Sequence, residues 1–321
     1  MAEDKISLII PMRDEEGSAN ALLASVFEQS RIPDEVVIAD GGSTDRTPEI
    51  VRSFIDKGYP VNFIKSGDAY PGKARNIAIE ASRNELIAMT DAGITVDKAW
   101  LENLYKKIKE DASVDVVYGV FEPKKDTIFK RYSSIAFVPP KRHVDGRQMR
   151  TFFLASMLLK KRVWRDIGGL PEDLRSAEDR IFMEEIKAKG YKTLFAPDAL
   201  VTWDIPRGPK ELFGRFFLYS YHGARAGRMK DWHIPVIRIY SVLLLMAAMG
   251  IVISPLFFYA PLLLLMARAF GLILEREEGG LWHKLDPMQF AVVFFCMLLI
   301  DAAMFSGMVK YFLINRKERC A

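Results

Sequence analysis

Three long apolar runs constrain the fold of this chain more than any other feature of its sequence. Residues 237–254, 255–274 and 289–313 carry almost no charge. Each run approaches or reaches the roughly 17 to 25 residues that a helix needs to cross about 30 Å of hydrocarbon. One such run would also suit a buried core helix, but three in succession favour a membrane. We therefore expect residues 235–321 to form an all-α transmembrane region.

Charges flanking these runs bear on the membrane topology. The basic stretch "RAGRMKDWH" precedes the first run and "NRKER" follows the last, and cations beside a span favour the cytosolic leaflet. Three full crossings would place the tail outside, against this rule. Either one segment is re-entrant or interfacial, or the first two form one kinked unit, and the sequence leaves these alternatives open.

The N-terminal region is expected to stay in the cytosol, which makes the chain a multi-pass membrane protein with a cytoplasmic first domain. Its first residues, "MAEDKISLII", place acids ahead of a short apolar run, which is the wrong polarity for a secretory signal.

Two cysteines and four histidines predict neither a disulfide framework nor a zinc cluster. We expect no nucleic-acid partner.

Residues 5 to about 120 alternate between strand and helix patterns. The apolar runs "ISLII", "EVVIA", "VNFI", "ELIAM" and "VDVVYGV" are separated by segments whose apolar residues recur at helical spacing. This alternation predicts an α/β domain with a mostly parallel sheet, which we assign to residues 1–208.

Acidic clusters follow three of these strands: "PMRDEE", "DGGSTD" and "TDAG". Ligands of parallel sheets bind beyond the carboxyl ends of the strands, so the clusters should line one edge. Asp91 on its own would be explained as a turn residue before Gly. Three acidic clusters on one rim would repel each other unless they bind a cation or a donor-rich ligand.

Two further features suit a nucleotide. Asp40 ends the strand "EVVIA", where its carboxylate can accept hydrogen bonds from a base or a ribose. In "YPGKARNIAIEAS", Lys73 and Arg75 stand at a helix start after Gly72, and cations beside free N–H groups suit a phosphate. An exposed basic turn is the alternative for this stretch.

Five stretches, taken in order, resemble glycosyltransferase family 2, the inverting sugar transferases with a GT-A fold. They are "IIPMRDEE", "EVVIADGGSTDRT", "PGKARNIAIEAS", "MTDAGITVDKAWLENL" and "GGLPEDLRSAEDRIFMEEIKAKGYK". The resemblance extends from residue 5 to about residue 230. It implies a Rossmann-like GT-A catalytic domain ahead of the membrane region.

The resemblance also implies roles for single residues. Asp91 takes the first position of the family's Asp-X-Asp metal motif, and Gly93 stands at the third. A single carboxylate, the substrate diphosphate and waters can still hold Mg²⁺ or Mn²⁺, so Asp91 remains the predicted metal ligand. With the helix start described above, the predicted nucleotide-sugar site comprises Pro11, Arg13, Glu15, Asp40, Gly72, Lys73, Arg75 and Asp91.

The acidic pair in "SAEDRIF" resembles the family's catalytic acids. This likeness makes Asp179 the expected general base and Glu178 its neighbour, because an inverting transfer needs a group that takes the acceptor's proton. Acids in the first turn of a helix also interact favourably with the helix dipole without any catalytic role.

The Gln-X-X-Arg-Trp motif of the family's processive synthases is absent from the sequence, so one sugar per encounter is expected.

Residues 209–234 mix aromatic and basic side chains and predict an amphipathic interfacial helix or linker. Packing of this segment against the catalytic domain is the alternative.

The expected function is a membrane-anchored, non-processive transfer from a nucleotide diphosphate sugar to a lipid-linked (polyprenyl phosphate) or glycan acceptor. Two alternatives are a synthase acting on the polyprenyl phosphate itself and a non-catalytic membrane scaffold. A nucleotidyltransferase is disfavoured, because "PMRDEEG" is acidic where that class needs a glycine- and lysine-rich loop.

Overall fold

The computed structural model describes residues 4–144, 147–150 and 153–320. They form two compact units. The first comprises the described residues up to Pro123 and those of Lys141–Asp204. The second comprises Lys124–Pro140 and the residues from Ile205 onward.

The first unit is built on an eight-stranded mixed sheet with the order β3-β2-β1-β4-β9-β6-β10-β5. Its strands are β1 (Ile6–Met12), β2 (Glu35–Asp40), β3 (Val61–Lys65), β4 (Leu86–Met89), β5 (Ile94–Val96), β6 (Val116–Pro123), β9 (Met157–Lys160) and β10 (Thr193–Trp203). A separate hairpin pairs β7 (Arg142–Val144) with β8 (Arg147–Met149). The unit's helices are α1 (Ala19–Phe27), α2 (Thr47–Asp56), α3 (Pro71–Ala81), α4 (Trp100–Lys109), α6 (Lys161–Ile167) and α7 (Glu178–Ala188).

The central strands are apolar because the sheet is buried on both faces. Ile6, Leu8, Ile9 and Ile10 of β1 are fully buried, as expected for a parallel strand covered by helices on each side. β1 pairs in parallel with β2 and β4, and β2 pairs in parallel with β3. The predicted parallel α/β sheet is confirmed for these strands.

Two antiparallel strands complete the sheet. β9 lies between β4 and β6 and is antiparallel to both, so β6 runs in the same direction as β4. β10 is parallel to β6, and β5 is antiparallel to β10. As a result, β1, β2, β3, β4, β6 and β10 all present their carboxyl ends at one edge. We call this the carboxyl edge.

The second unit is helical. It contains α5 (Ile128–Phe137), α8 (Pro209–Arg225), α9 (Met229–Trp232), α10 (Ile234–Val252), α11 (Tyr259–Arg276), α12 (Leu281–Lys284) and α13 (Pro287–Cys320), with a short 3-10 helix at Pro255–Phe258. By length and composition, the described residues contain three segments that could cross a membrane: Ile234–Val252, Pro255–Arg276 and Pro287–Ile314. The apolar runs had also predicted three.

Candidate active site

Arg75 joins the acidic segment that follows β4 to the acidic start of α7. Its side chain is only 3% exposed. Nη1 donates to Glu178 Oε1 at 2.9 Å, and Nη2 donates to Asp91 Oδ1 at 2.5 Å. Asp91 follows β4, Arg75 belongs to α3, and Glu178 is the first residue of α7. One guanidinium therefore brings together the predicted metal ligand and the predicted acidic pair.

The helix that carries the acidic pair begins with a strained residue. Ala177, the N-cap of α7, has a φ of 75°, a left-handed conformation that costs a non-glycine residue of the order of 1–3 kcal/mol. Such strain persists only where the surroundings hold it in place, and it is common at functional sites. Ala177 directly precedes Glu178, the α7 residue that pairs with Arg75.

Burial and charge set the ionisation of this cluster. Burial raises the pKa of Glu178 to about 7, although the neighbouring Arg75 acts in the opposite direction. Burial likewise raises the pKa of Asp179 against the pull of Arg75 and of the Arg180 N–H. Burial alone would lower the pKa of Arg75, but Asp91 and Glu178 outweigh it and hold that pKa above its usual value. Raised carboxyl pKa values suit proton transfer near neutral pH.

Two side chains of this cluster keep polar atoms without partners among the described residues. Glu178 is 5% exposed, and its Oε2 atom accepts no hydrogen bond; the buried Nε of Arg75 donates none. Buried polar groups are normally paired. The cluster thus retains hydrogen-bonding capacity that a substrate could use.

Asp40 lies at the carboxyl end of β2, where Ser43 fixes its side chain. Asp40 is 4% exposed, and both of its carboxylate oxygens accept from the Ser43 backbone N–H, at 3.2 and 3.3 Å, while Oδ1 also accepts from Ser43 Oγ. A carboxylate has about four acceptor sites, so these bonds orient Asp40 and leave capacity for a ligand. The bond between Ser43 and Asp40 was not predicted from the sequence.

The loops after β1 and β2 hold each other in place. The backbone N–H of Asp14 donates to Ser43 Oγ at 2.9 Å, that of Glu15 donates to Thr47 Oγ1 at 2.7 Å, and that of Glu16 donates to Asp45 Oδ2 at 2.9 Å. These bonds order the chain that carries three predicted nucleoside contacts, Pro11, Arg13 and Glu15.

The remaining predicted contacts are placed differently. Arg13 pairs with Asp68 in the loop after β3. Lys73 is exposed at the start of α3 and forms no ion pair with any residue that the structure describes. No direct bond joins Asp40 to Arg75 or Asp91 in the described chain, so the edge consists of a β1–β2 part and a part centred on Arg75.

Asp91 can contribute one oxygen to a divalent ion. Its side chain is 33% exposed. Arg75 donates to Oδ1, whereas Oδ2 has no hydrogen-bond partner among the described residues. Gly93 has a φ of 78° and supplies no side-chain ligand. Within the described ranges, no group of three or more His, Cys, Asp or Glu side chains could hold an ion. The residues present fit a divalent ion that takes most of its ligands from a diphosphate and water.

Gly72 has a packing role that its place in the predicted site did not reveal. A Cβ at this position would lie 2.0 Å from the Pro171 carbonyl oxygen and 3.3 Å from Glu178 Cγ. Only glycine permits this close approach between α3 and the segment that leads to α7.

Replacing Gly72 by Ala is therefore expected to lower stability by about 1–3 kcal/mol, the usual cost of overpacking. It should also reduce activity, because the shift would separate Arg75 from Glu178. A thermal-unfolding midpoint and a transfer assay would measure the two effects. Gly214→Ala is the matched control, since a Cβ there meets nothing within 4 Å. Equal midpoints for the two variants would contradict the packing role.

The chain is similar to known glycosyltransferases. The sequence profile described as "Glycosyl transferase family 2" matches residues 7–168. The chain is 27% identical to the O-antigen chain rhamnosyltransferase RfbN of Salmonella typhimurium over 66% of this chain and 70% of that protein. It is 29% identical to the glycosyltransferase AglE of Haloferax volcanii over 61% of this chain, and the match spans 65% of the length of AglE.

Solved structures share the fold. A mannosyltransferase from Pyrobaculum calidifontis, in complex with GDP-Man and Mn²⁺, superposes with a TM-score of 0.66 at 20% identity, covering 97% of this chain and 88% of that one. TarS residues 1–349 of S. aureus superpose with a TM-score of 0.50 at 18% identity, covering 96% and 91%. These likenesses confirm the expected GT-A fold. Since the family profile matches half of the sequence, the chain belongs to glycosyl transferase family 2.

Proposed function

We propose that this chain is a membrane-anchored, non-processive inverting glycosyltransferase. It transfers one sugar from a nucleotide diphosphate donor to a hydroxyl group of a lipid-linked or glycan acceptor. The observation that carries this proposal is the Arg75 bridge, because it joins a one-third exposed carboxylate, Asp91, to the acidic pair of α7. Metal-diphosphate binding and proton abstraction would then occur side by side.

The donor half of the proposal rests on the β1–β2 loops and Asp91. Asp40, oriented by Ser43, would accept hydrogen bonds from the base or ribose of the nucleotide. Lys73 offers positive charge for the diphosphate, and Arg13 would contact the nucleoside. Asp91 would hold Mg²⁺ or Mn²⁺, and that ion, when bound, supplies charge neutralisation for the departing diphosphate.

The acceptor half rests on α7. Asp179 would take the proton from the attacking hydroxyl, and its raised pKa places it closer to neutrality than an ordinary Asp. Among similar proteins, RfbN is named an O-antigen chain rhamnosyltransferase and TarS a poly(ribitol-phosphate) N-acetylglucosaminyltransferase. Both names describe additions to a growing glycan or polyol phosphate. These names support a hydroxyl acceptor over a lipid phosphate, whose oxygen is already ionised and needs no base.

Membrane attachment is part of the proposal. The apolar helices expose many large side chains, among them Leu244, Val252 and Leu256, which are 72%, 83% and 74% exposed. Contiguous exposed apolar surface of this kind marks a membrane or a protein interface. We propose that residues 1–208 are the cytoplasmic catalytic domain, that 209–234 link it to the membrane, and that 235–321 anchor the protein.

The test is to offer membranes containing the protein a panel of labelled sugar nucleotides and to extract the products. Label should enter a lipid or glycan product with one donor class, and only with a divalent ion present. An inactive scaffold would transfer none of the labels and would bind no nucleotide diphosphate.

Asp91→Asn is expected to abolish the manganese-dependent part of nucleotide diphosphate binding, because Asn keeps the shape but loses the charge that the ion needs. Calorimetric titration with the nucleotide, with and without Mn²⁺, measures this part directly. Asp56→Asn, on an exposed residue at the end of α2, is the matched control. Unchanged manganese dependence in Asp91→Asn would remove the metal assignment.

A further inference from the structure

One face of α3 holds the segment that leads into α7, and both belong to the first unit. Gly72, Arg75 and Asn76 are three and four residues apart along α3, so they lie on the same side of the helix. Gly72 lies against Pro171, and Arg75 pairs with Glu178. Asn76, the third member of this face, was given no role by the sequence.

Four hydrogen bonds join the Asn76 side chain to its surroundings. Nδ2 donates to the Leu170 carbonyl at 2.9 Å and to Glu172 Oε1 at 3.0 Å. Oδ1 accepts from Trp164 Nε1 and from the Leu170 backbone N–H, both at 2.9 Å. An Asn amide has two N–H donors and two acceptor lone pairs, so these bonds use its full capacity. We call Asn76 with these three partners the Asn76 clamp.

The clamp fixes both the amide of Asn76 and the backbone of Leu170. Nδ2 faces two acceptors and Oδ1 faces two N–H donors, so a flipped amide would satisfy none of the four bonds. Both the N–H and the C=O of Leu170 bind the same amide, as they would bind a residue of a neighbouring β-strand. The position of residue 170 relative to α3 is therefore set at two points.

Gly169 lets the chain approach Asn76 this closely. It has a φ of 88°, and a Cβ there would lie 2.9 Å from Asn76 Oδ1 and 3.1 Å from Nδ2. Glycine adopts this left-handed conformation without steric cost and leaves room for the amide. The following residue, Leu170, is 3% exposed and packs in the core with Ala74 and Ala78 of α3. Apolar packing and hydrogen bonds thus hold the same point of the chain.

The segment beyond the clamp returns to the same face of α3. A Cβ at Gly72 would lie 2.0 Å from the Pro171 carbonyl oxygen and 3.3 Å from Glu178 Cγ, so both ends of residues 171–178 lie against one residue. The Asn76 clamp holds the first end, and the ion pair of Arg75 holds the second at Glu178.

The chain between these two ends is packed. Leu174, Ser176 and Ala177 are 5%, 8% and 4% exposed, and close-packed interiors transmit small displacements. A shift of the first end, at Leu170, should therefore change the place at which α7 begins.

We infer that Asn76 is a positioning residue for the transfer reaction, which rests on the function proposed above. Through the Asn76 clamp it sets the start of α7, and with it the place of Asp179 beside the acceptor hydroxyl and of Glu178 beside Arg75. Asn76 acts through the backbone of residues 170–178 and not by contact with a substrate. Loss of the clamp should slow transfer, while the nucleotide, held by the β1–β2 loops and Asp91, still binds.

The Asn76→Asp variant tests this role. Asp has nearly the same shape but lacks both N–H donors, and its carboxylate would face the Leu170 carbonyl and the Glu172 carboxylate, which repel it. We expect kcat to fall about 10- to 100-fold, since a misplacement of about 1 Å can cost about 100-fold in rate. KM for the sugar nucleotide and its Mn²⁺-dependent binding should stay close to the wild-type values.

A second substitution should restore part of the clamp. In Asn76→Asp/Glu172→Gln, the new amide at position 172 can donate to the carboxylate at position 76, which reverses the direction of the original bond and removes the repulsion. We expect kcat to recover toward the wild-type value, although the Leu170 carbonyl still lacks its donor. A double variant no faster than Asn76→Asp would contradict the clamp.

Asn103→Asp is the matched control for the loss of a side-chain amide. Asn103 of α4 donates to the Asp198 carbonyl at 2.7 Å, so this variant also loses a bond to a backbone carbonyl and gains a negative charge. It should lower the unfolding midpoint while kcat, measured below that midpoint, stays close to the wild-type value. Equal losses of kcat in Asn103→Asp and Asn76→Asp would show that Asn76 matters for stability alone.

Hydrogen exchange measured by mass spectrometry tests the clamp without the reaction. Backbone amides of residues 170–181 should exchange faster in Asn76→Asp than in the wild type, and at the wild-type rate in Asn103→Asp. Unchanged exchange in Asn76→Asp, or a wild-type kcat, would overturn the inference and leave the proposed transfer intact. A wild-type protein that transfers no sugar would instead remove the proposed function and the positioning role together, whereas faster exchange would still show that Asn76 holds the start of α7.

Discussion

The Asp179→Asn variant is expected to lose about 10²- to 10⁴-fold in kcat, the usual contribution of a positioned general base. Asn has nearly the same shape as Asp but cannot take a proton from the acceptor hydroxyl. The Arg180 backbone N–H, which donates to Asp179 Oδ1 at 2.7 Å, can donate equally well to the Asn side-chain oxygen. The start of α7 should therefore keep its geometry, and binding of the nucleotide diphosphate should be close to normal.

The pH profile provides a second measurement of the same assignment. Because burial raises the pKa of Glu178 to about 7, Glu178 takes up a proton as the pH falls through neutrality, and because burial also raises the pKa of Asp179, Asp179 is protonated at a higher pH than an ordinary Asp. We expect kcat/KM to decrease on that acidic side. Glu178→Gln is the matched control, since it removes one of two interacting carboxyls and should move the acidic limb to lower pH while keeping the base.

A lipid phosphate acceptor would give a different result. Its oxygen is already ionised, so Asp179→Asn would then transfer sugar at a nearly normal rate. Comparable kcat values for the wild type and for Asp179→Asn would contradict the hydroxyl acceptor and favour the polyprenyl-phosphate synthase.

Most of the sheet could be predicted from local sequence. Strands such as β1 and β2 are continuous apolar runs because both of their faces are buried. β9 and β5 were not predicted. "MLLK" and "ITV" contain only four and three residues, and their antiparallel pairing depends on neighbours 39 to 109 residues away in the sequence. Short runs of this kind carry no periodic signal of their own.

The candidate site shows the same limit. The chemistry of Asp91, Glu178 and Asp179 is evident from residue type and position in a motif, whereas their connection through Arg75 is not. Arg75 and Glu178 are separated by 103 residues, and no pattern in either segment points to the other. The close approach of Gly72 to Pro171 and the left-handed conformation of Ala177 are also tertiary effects. A single sequence can suggest the members of a site, but their mutual distances depend on the complete fold.

The sequence patterns likewise did not predict that α5 belongs to the helical unit. The segment "IFKRYSSIAF" interrupts the catalytic domain in the sequence and is neither long nor apolar enough to be read as part of the anchor. Its bonds to Asp286 and Arg276 place it there. The sequence-based boundaries lie at residues 208 and 234. The compact units of the structure are divided differently, because residues 124–140 belong to the helical unit together with the chain from Ile205 onward.

Arg75→Met is expected to have the largest combined effect on stability and activity. Methionine fills a similar volume but leaves Glu178, which is 5% exposed, and Asp91 without their shared cation. Removing one partner of a buried ion pair typically costs about 3–5 kcal/mol, because the remaining charge stays buried and unpaired. Activity should fall by about 100-fold or more, since small displacements of reacting groups have effects of that size. Thermal unfolding in detergent and the transfer assay measure the two losses.

The double variant Arg75→Met/Glu178→Gln separates these two roles of Arg75. Neutralising Glu178 removes the unpaired buried charge, so part of the lost stability should return. Activity should not return, because no cation then orients Asp91 or balances the acids near the substrate. Arg52→Met, on an exposed face of α2, is the matched control and should leave the unfolding midpoint and the transfer rate unchanged. An Arg75→Met protein that unfolds at the wild-type temperature and transfers sugar at the wild-type rate would show that the Arg75 bridge is dispensable.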